Sequence, residues 1–245
     1  MIRVEVIVVN HGTAPLTLAL VESIEGWARL CGATIHVLDS GSPGDPGREL
    51  AGLEDRARLT LLTQNRGFGA AANHGARASE ADWLLFANPD VTLSPETLDR
   101  LAKAASLGPA VLGGVSTGGP RAHGPTGVEG LDGCIETEWI AGSLMLVPRR
   151  DFVEAGGFDE GYFMYLEDVD LCRRLALAGL PIRVVRGAAY RHPGGASYGA
   201  TGRDRLADWR ASRRRYLLRH RGQAAAWFYA LYARADDLLR RLRGR

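Results

Sequence analysis

The first 115 residues alternate short apolar runs with stretches of helical periodicity, and few folds accommodate that rhythm. The runs at 4–9, 34–38, 59–62, 83–86 and 110–115 are too short for stable helices and apolar at consecutive positions, so both of their faces must be buried. Helical patterns fill the gaps at about 15–30, 68–79 and 94–106, with a shorter one after the second run. Ser94-Pro95-Glu96 marks one helix start, with serine as cap and proline at the first helical position. This alternation predicts an α/β fold whose mostly parallel sheet is covered by helices.

The second half is less regular. Residues 118–133 are glycine-rich and aperiodic, which predicts a loop; 139–147 reads as an apolar strand, and Gly156-Gly157 as a turn. A helix is predicted at about 167–178, a last short strand at 182–185, and two terminal helices at about 204–221 and 224–242. At 245 residues and 46% hydrophobic content the chain can bury a sizeable core. No repeat or linker divides it, so one domain with a helical C-terminal extension is expected.

Composition excludes several classes. Cys31, Cys134 and Cys172 are scattered and never spaced C-x-x-C, so neither a disulfide framework nor a thiolate metal site is indicated, and a reducing cytosol fits. The N-terminal run carries charge and no small-residue cleavage site, against a secretory signal. The apolar stretch at 224–233 falls short of the roughly 18 to 20 residues of a membrane span. Charge is asymmetric: 203–245 holds thirteen arginines and four aspartates, about +9, leaving about −7 for the rest. Such a tail suits an anionic membrane surface, an acidic partner or nucleic acid, and it reads equally as a solvated arginine-rich helix face. No aromatic-interleaved basic groove favours nucleic acid.

In open parallel sheets, ligands bind where strand carboxyl ends and helix N-termini share a crevice. Asn10-His11-Gly12, Asp39-Ser40-Gly41-Ser42 and Asn88-Pro89-Asp90 all follow predicted strands there, although each alone is ordinary turn chemistry. Small residues in the stretch from Asn65 through Gly67 to Asn73 allow close backbone approach to a ligand. Glu167, Asp168 and Asp170 crowd a helical first turn, where the dipole favours negative charge. Arg173 and Arg174 stand three and four residues beyond Asp170, spaced to pair with it and to leave another acid free as a base. His192, before a proline and two glycines, is a candidate metal or phosphate contact.

The stretches NPDV (88–91), GGFDEGYFMYLEDVDLCRRLALAG (156–179) and HPGGAS (192–197), in this order and at these separations, resemble the family 2 inverting glycosyltransferases, in particular their rhamnosyltransferase-like bacterial members. The likeness runs from about residue 4 to about 222. It implies a GT-A type fold at 1–202, with a nucleotide-binding half at about 1–115 and an acceptor half at about 116–202, followed by a basic amphipathic extension at 203–245. It implies hexosyl or deoxyhexosyl transfer, with inversion, from a UDP- or dTDP-linked sugar to a hydroxyl of an acceptor glycan, glycolipid or small molecule. The implied setting is polysaccharide or cell-envelope synthesis in the cytoplasm, with peripheral contact to the inner membrane face through 203–245, and no nucleic acid.

Residue by residue, the resemblance implies Asp168 as general base and Asp90 with His192 as the site of Mg²⁺ or Mn²⁺. Asn10, His11, Asp39, Asn65, Gly67, Asn73 and Asn88 match donor-binding positions. Trp139, Gly142, Tyr165, Glu167, Asp170 and Arg174 are expected on the acceptor side or as supports. The chain departs from the family pattern at Val9-Asn10-His11-Gly12, where V-N-Y-N or V-T-Y-N is usual, and at Asp39-Ser40-Gly41-Ser42, where D-N-x-S is common. Asn88 stands in place of the first acid of D-x-D. Two alternatives are a sugar-nucleotide-forming nucleotidyltransferase, disfavoured because the lone lysine, Lys103, lies in a predicted helix, and a non-catalytic binding module docking through the basic tail.

Overall fold

Strand β1 (Val4–Asn10) is apolar but for Glu5 and Asn10 and is buried at every position. It lies between β2 (Thr34–Ser40) and β4 (Trp83–Ala87), both parallel to it, and β3 (Arg58–Leu62) extends the parallel array beyond β2. The computed structural model describes residues 2–119, 122–124, 126–130, 133–199 and 201–243. Beyond β4 the nine-stranded sheet becomes mixed, in the order β3-β2-β1-β4-β8-β5-β9-β7-β6. Here β8 (Leu144–Pro148) runs antiparallel to β4 and to β5 (Val111–Thr117), while β9 (Ile182–Arg191) is parallel to β5. An antiparallel pair, β6 (Thr126–Glu129) and β7 (Cys134–Thr137), completes the far edge.

Period-two alternation along β1 splits the core into two layers. Val6 and Val8 face one layer, with Leu20, Ile24 and Trp27 of α1 (Ala14–Cys31) and Leu98 and Leu101 of α4 (Pro95–Ala105). Ile7 and Val9 face the other, covered by α3 (Phe68–Arg77), α5 (Arg149–Glu154) and α6 (Glu167–Leu177). In that second layer Phe158 meets Phe68, Phe86 and Phe152 at centroid distances of 5.4, 5.0 and 5.3 Å in edge-to-face geometry. Truncating the fully buried Phe158 to alanine is expected to cost about 3–5 kcal/mol. Two single-turn helices, α2 (Pro46–Glu49) and α7 (Ala196–Gly199), sit in connections. As the sequence signals, Ser94 Oγ accepts the Thr97 N–H at 3.2 Å with proline at the start of α4.

The structure departs from the sequence reading in three places. Part of the expected 118–133 loop is the strand β6, whose pairing comes from a neighbouring backbone and needs no apolar period; the expectation for 120, 121, 125, 131 and 132 lies outside the described residues. Of the expected strand at 139–147 only the part from Leu144 onward is extended in the sheet, because Gly142 and Ser143 form a turn closed by Leu144 N–H donating to Ala141 O. Strand β9 runs six residues past its expected end, since it re-engages β5 after a bulge that shifts the register between Gly113 and Val115. The two terminal helices are found as expected, as the segments of α8 (Arg205–Arg243) on either side of Gly222, where φ is 85° and ψ is 176°. Arg210 pairs with both Asp236 and Asp237, so the two segments of α8 fold back alongside each other.

Candidate active site

The carboxyl ends of β1 and β4, the start of α6 and the end of β9 surround one cavity of about 780 Å³. Of the residues singled out in the sequence, His11, Asn65, Gly67, Asn88, Asp90, Trp139, Gly142, Tyr165, Glu167, Asp168 and His192 all line it. Asn10, Asp39, Asn73, Asp170 and Arg174 do not; they lie behind its walls.

Asp90 leaves the end of β4 and meets His192, which leaves the end of β9, with Oδ1 and Nε2 3.2 Å apart. Asn88 Nδ2 lies 3.5 Å from the same His192 nitrogen, and the Ala196 amide donates to Asp90 Oδ2 at 3.5 Å. Burial pushes the Asp90 carboxyl upward, but the hydrogen bond and charge of His192, with the Ala196 amide, outweigh it and hold the group below the usual range. Asp90 is therefore an anion beside the His192 imidazole. Two donor atoms at adjacent corners of an octahedron with bonds of about 2.1 Å stand about 3 Å apart, so this pair fits a shared Mg²⁺ or Mn²⁺. No cluster of three or more His, Cys, Asp or Glu side chains suited to a metal occurs among the described residues. A cation here would draw its remaining ligands from a bound diphosphate and water.

Opposite them, the start of α6 is set by two consecutive left-handed residues, Tyr165 (φ 73°) and Leu166 (φ 67°). Non-glycine residues in this region cost about 1–3 kcal/mol each. The kink turns Glu167 and Asp168 toward the cavity. Asp168 accepts the Gly142 amide at 3.0 Å through Oδ2 and the Val169 amide at 2.8 Å through Oδ1. Burial raises its pKa despite those donors. Glu167 is more deeply buried, its Oε2 has no hydrogen-bond partner, and burial together with the Asp168 charge pushes its carboxyl far up. The amides thus favour Asp168 as the anion and leave the proton on Glu167, a division of adjacent carboxyls suited to general base chemistry.

Glycine is required where backbones touch. A Cβ on Gly67, whose φ is +94°, would stand 2.1 Å from Phe163 O. A Cβ on Gly142 would meet the Phe68 ring at 3.0 Å, so the amide that holds Asp168 has little room to move.

A cavity at the strand carboxyl ends, with a carboxylate–imidazole pair on one wall and a buried acid pair on another, suits a nucleotide-linked substrate. Residues 5–123 match the family model Glycosyl transferase family 2. Over those residues this chain is similar to glycosyl transferase family 2. It is 31% identical over 189 residues to the N-acetylglucosaminyl-diphospho-decaprenol L-rhamnosyltransferase of Mycobacterium tuberculosis H37Rv, covering 60% of this chain and 62% of that protein. To Rhamnosyltransferase WbbL of Escherichia coli K12 it is 60% identical over 48 residues, 20% of this chain and 18% of that one. The chain thus spans less than two thirds of the length of these relatives. Among solved structures, GalNAc-T7 with UDP, GalNAc and Mn²⁺ superposes with a TM-score of 0.67 at 14% identity, covering 78% of this chain and 44% of that one. The mannosyltransferase PcManGT from Pyrobaculum calidifontis, in complex with GDP-Man and Mn²⁺, gives 0.64 at 20% identity, covering 89% and 63%. These likenesses show that the fold is GT-A.

Around and behind the cavity, polar groups are tied down. Asp39 is fully buried and accepts from Asn10 Nδ2 at 2.7 Å, Ser42 N–H at 2.9 Å and Ser42 Oγ at 2.5 Å, which locks the loops after β1 and β2 together. His11 Nδ1 donates to Ser40 O at 2.9 Å, and Asn65 Oδ1 accepts the Gly67 amide at 2.9 Å. Asn73 exchanges two hydrogen bonds with the Phe158 backbone. Asp170 accepts from Arg174 Nε at 2.7 Å, whose guanidinium also reaches Ala155 O and Gly157 O. Arg173, equally spaced for pairing in the sequence, has a buried Nε with no hydrogen-bond partner.

Sequence reasoning missed the roof. Tyr198, Arg205 and Trp209 line the cavity from α7 and α8, with the Tyr165 ring tilted against Tyr198 at 5.7 Å and edge-to-face with Trp209 at 5.8 Å. The helical extension also grips α6: His220 Nε2 donates to Asp170 at 2.7 Å, and Arg215 and Arg219 pair with Asp159. The aromatic residues within a polar, arginine-rich stretch were the available signal for the roof; nothing marked His220.

Proposed function

We propose that this chain transfers a sugar from a nucleotide diphosphate donor to an acceptor hydroxyl with inversion, using Asp168 as general base. The carrying observation is the Asp168 carboxylate, held by the Gly142 and Val169 amides on the wall of a cavity that also contains Asp90 and His192. Asp168 takes the proton from the acceptor hydroxyl as that oxygen attacks the anomeric carbon, and the bond to the diphosphate breaks on the opposite face. A single displacement inverts the configuration. Asp90 and His192 would hold Mg²⁺ or Mn²⁺, which when bound would supply positive charge beside the diphosphate. Asn65, Gly67 and Asn88 line the donor side, and Trp139, Tyr165 and Trp209 offer flat apolar surfaces to the acceptor.

The rhamnosyltransferase relatives support a deoxyhexose donor, UDP- or dTDP-linked, and the mycobacterial relative's name supports an acceptor sugar on a lipid diphosphate in cell-envelope synthesis. The test is a screen of UDP-, dTDP- and GDP-sugars with Mg²⁺ or Mn²⁺, reading nucleotide release in the presence of acceptor. One donor is expected to be turned over with either metal. Release from none, with the protein folded, would reject the reading.

A further inference from the structure

The second segment of α8 carries an apolar face that nothing in the fold covers. Trp227, Phe228, Leu231, Tyr232, Leu238 and Leu239 are all exposed, from 42% for Leu231 to 65% for Phe228 and Tyr232. At 100° per residue they occupy a stripe about 140° wide, whereas Ala226, Asp236 and Asp237 point the other way, toward the protein and the first segment. Soluble domains rarely leave such a contiguous face in water. Charge accompanies it. Arg213, Arg214, Arg221 and Arg234 are exposed and form no ion pair among the described residues, and helical spacing sets Arg234 between Leu231 and Leu238.

We infer that this face docks on an anionic lipid bilayer, with the aromatic and leucine side chains in the headgroup and acyl boundary and the unpaired arginines on lipid phosphates. Two observations select a bilayer over a second copy of the chain, and a third sets the mode of contact. The stripe mixes Trp and Tyr with Leu and Phe, the composition of interfacial helices. The excess charge beside it is of one sign, so a two-fold copy would bring arginines against arginines. No helix among the described residues is long and apolar enough to cross a membrane, so contact through this face would be peripheral. The first segment of the same helix supplies Arg205 and Trp209 to the cavity roof, so docking would hold the cavity close to the lipid surface. That geometry deepens the proposed function, on which it rests for its acceptor: a sugar on a lipid diphosphate is presented at that surface.

The test is cosedimentation of the full chain with vesicles of phosphatidylcholine alone or mixed with phosphatidylglycerol. Wild type is expected to pellet with the anionic vesicles and less with the neutral ones. The double variant Phe228→Glu/Leu239→Glu is expected to lose about tenfold or more in partitioning. Its melting temperature and its turnover of a water-soluble acceptor, measured in parallel, should match wild type, which separates lost docking from lost folding or lost catalysis. Equal pelleting of wild type and variant would overturn the inference, as would wild type that ignores anionic vesicles. A wild-type dimer in sedimentation velocity that the same substitutions dissociate would also overturn it. Nucleotide release from the donor is scored separately, so a transferase that ignores vesicles would refute docking and leave the proposed reaction standing.

Discussion

The Gly142 amide donates to Asp168 Oδ2 at 3.0 Å, so the turn that leads into β8 fixes the carboxylate that opens α6. The space around that amide is tight: a methyl group at Gly142 would meet Phe68 Cε1 at 3.0 Å. Gly142→Ala is expected to displace the ring or the turn by a few tenths of an ångström, to cost about 1 kcal/mol of stability and to slow transfer about tenfold. Thermal melts and steady-state kinetics check both. Unchanged turnover would mean that the amide does not position Asp168.

The acid pair sets a pH dependence. The Asp168 pKa is raised, chiefly by burial, and the reaction needs its anion, so activity should fall as pH drops through a value above the ordinary aspartate range. Stability moves the other way around Glu167. A carboxyl whose folded pKa is raised stabilises fully below its unfolded pKa, and that contribution is lost as pH rises through the folded value. Glu167→Gln should therefore gain melting temperature relative to wild type as pH climbs from the ordinary glutamate range past neutrality. A difference independent of pH would contradict the protonated state of Glu167.

Asp90 and His192 make a separate expectation. Removing a group that merely supports a metal ligand costs about 10- to 100-fold in metal affinity, so losing a ligand, in Asp90→Ala or His192→Ala, should weaken donor binding in Mn²⁺ by at least about that factor. The same variants should bind donor in EDTA about as well as wild type does. Calorimetry with and without metal separates the two, and equal donor affinity for wild type in both conditions would remove the cation from the site.

Asp170 has no exposure to solvent and is held by Arg174 and His220, each at 2.7 Å. Removing it leaves a buried guanidinium without its partner, at a cost of about 3–5 kcal/mol. Asp170→Ala is expected to lower the midpoint of denaturant unfolding, with Arg174→Ala less severe because the exposed face of α8 still offers Arg219 to the acid. Wild-type stability in Asp170→Ala would show that the cluster does not tie α8 to α6.

The parallel half of the fold was legible because its central strands are buried on both faces and stay largely apolar, throughout β4 and, apart from Glu5 and Asn10, in β1. The mixed half was not, since β9 continues past its bulge through arginines and a glycine, and β6 holds its place by backbone pairing alone. At the cavity, residues beside strand ends could be anticipated from turn chemistry. Asp39 could not be separated from them, because its neighbours Asn10 and Ser42 satisfy it only once two loops meet. The roof was hidden for a compositional reason: arginines that read as a solvated face are spent on Asp159, Asp208 and Asp170, and this is what brings Trp209 over the site.

Asp168→Asn isolates the proposed role of the Asp168 carboxylate as base, because the amide side chain keeps the shape and can still accept from Gly142. Single-turnover transfer by this variant, with donor affinity measured in the same preparation, is expected to fall by about 10²- to 10⁴-fold while the donor binds as in wild type. Transfer within about threefold of wild type would contradict the assignment.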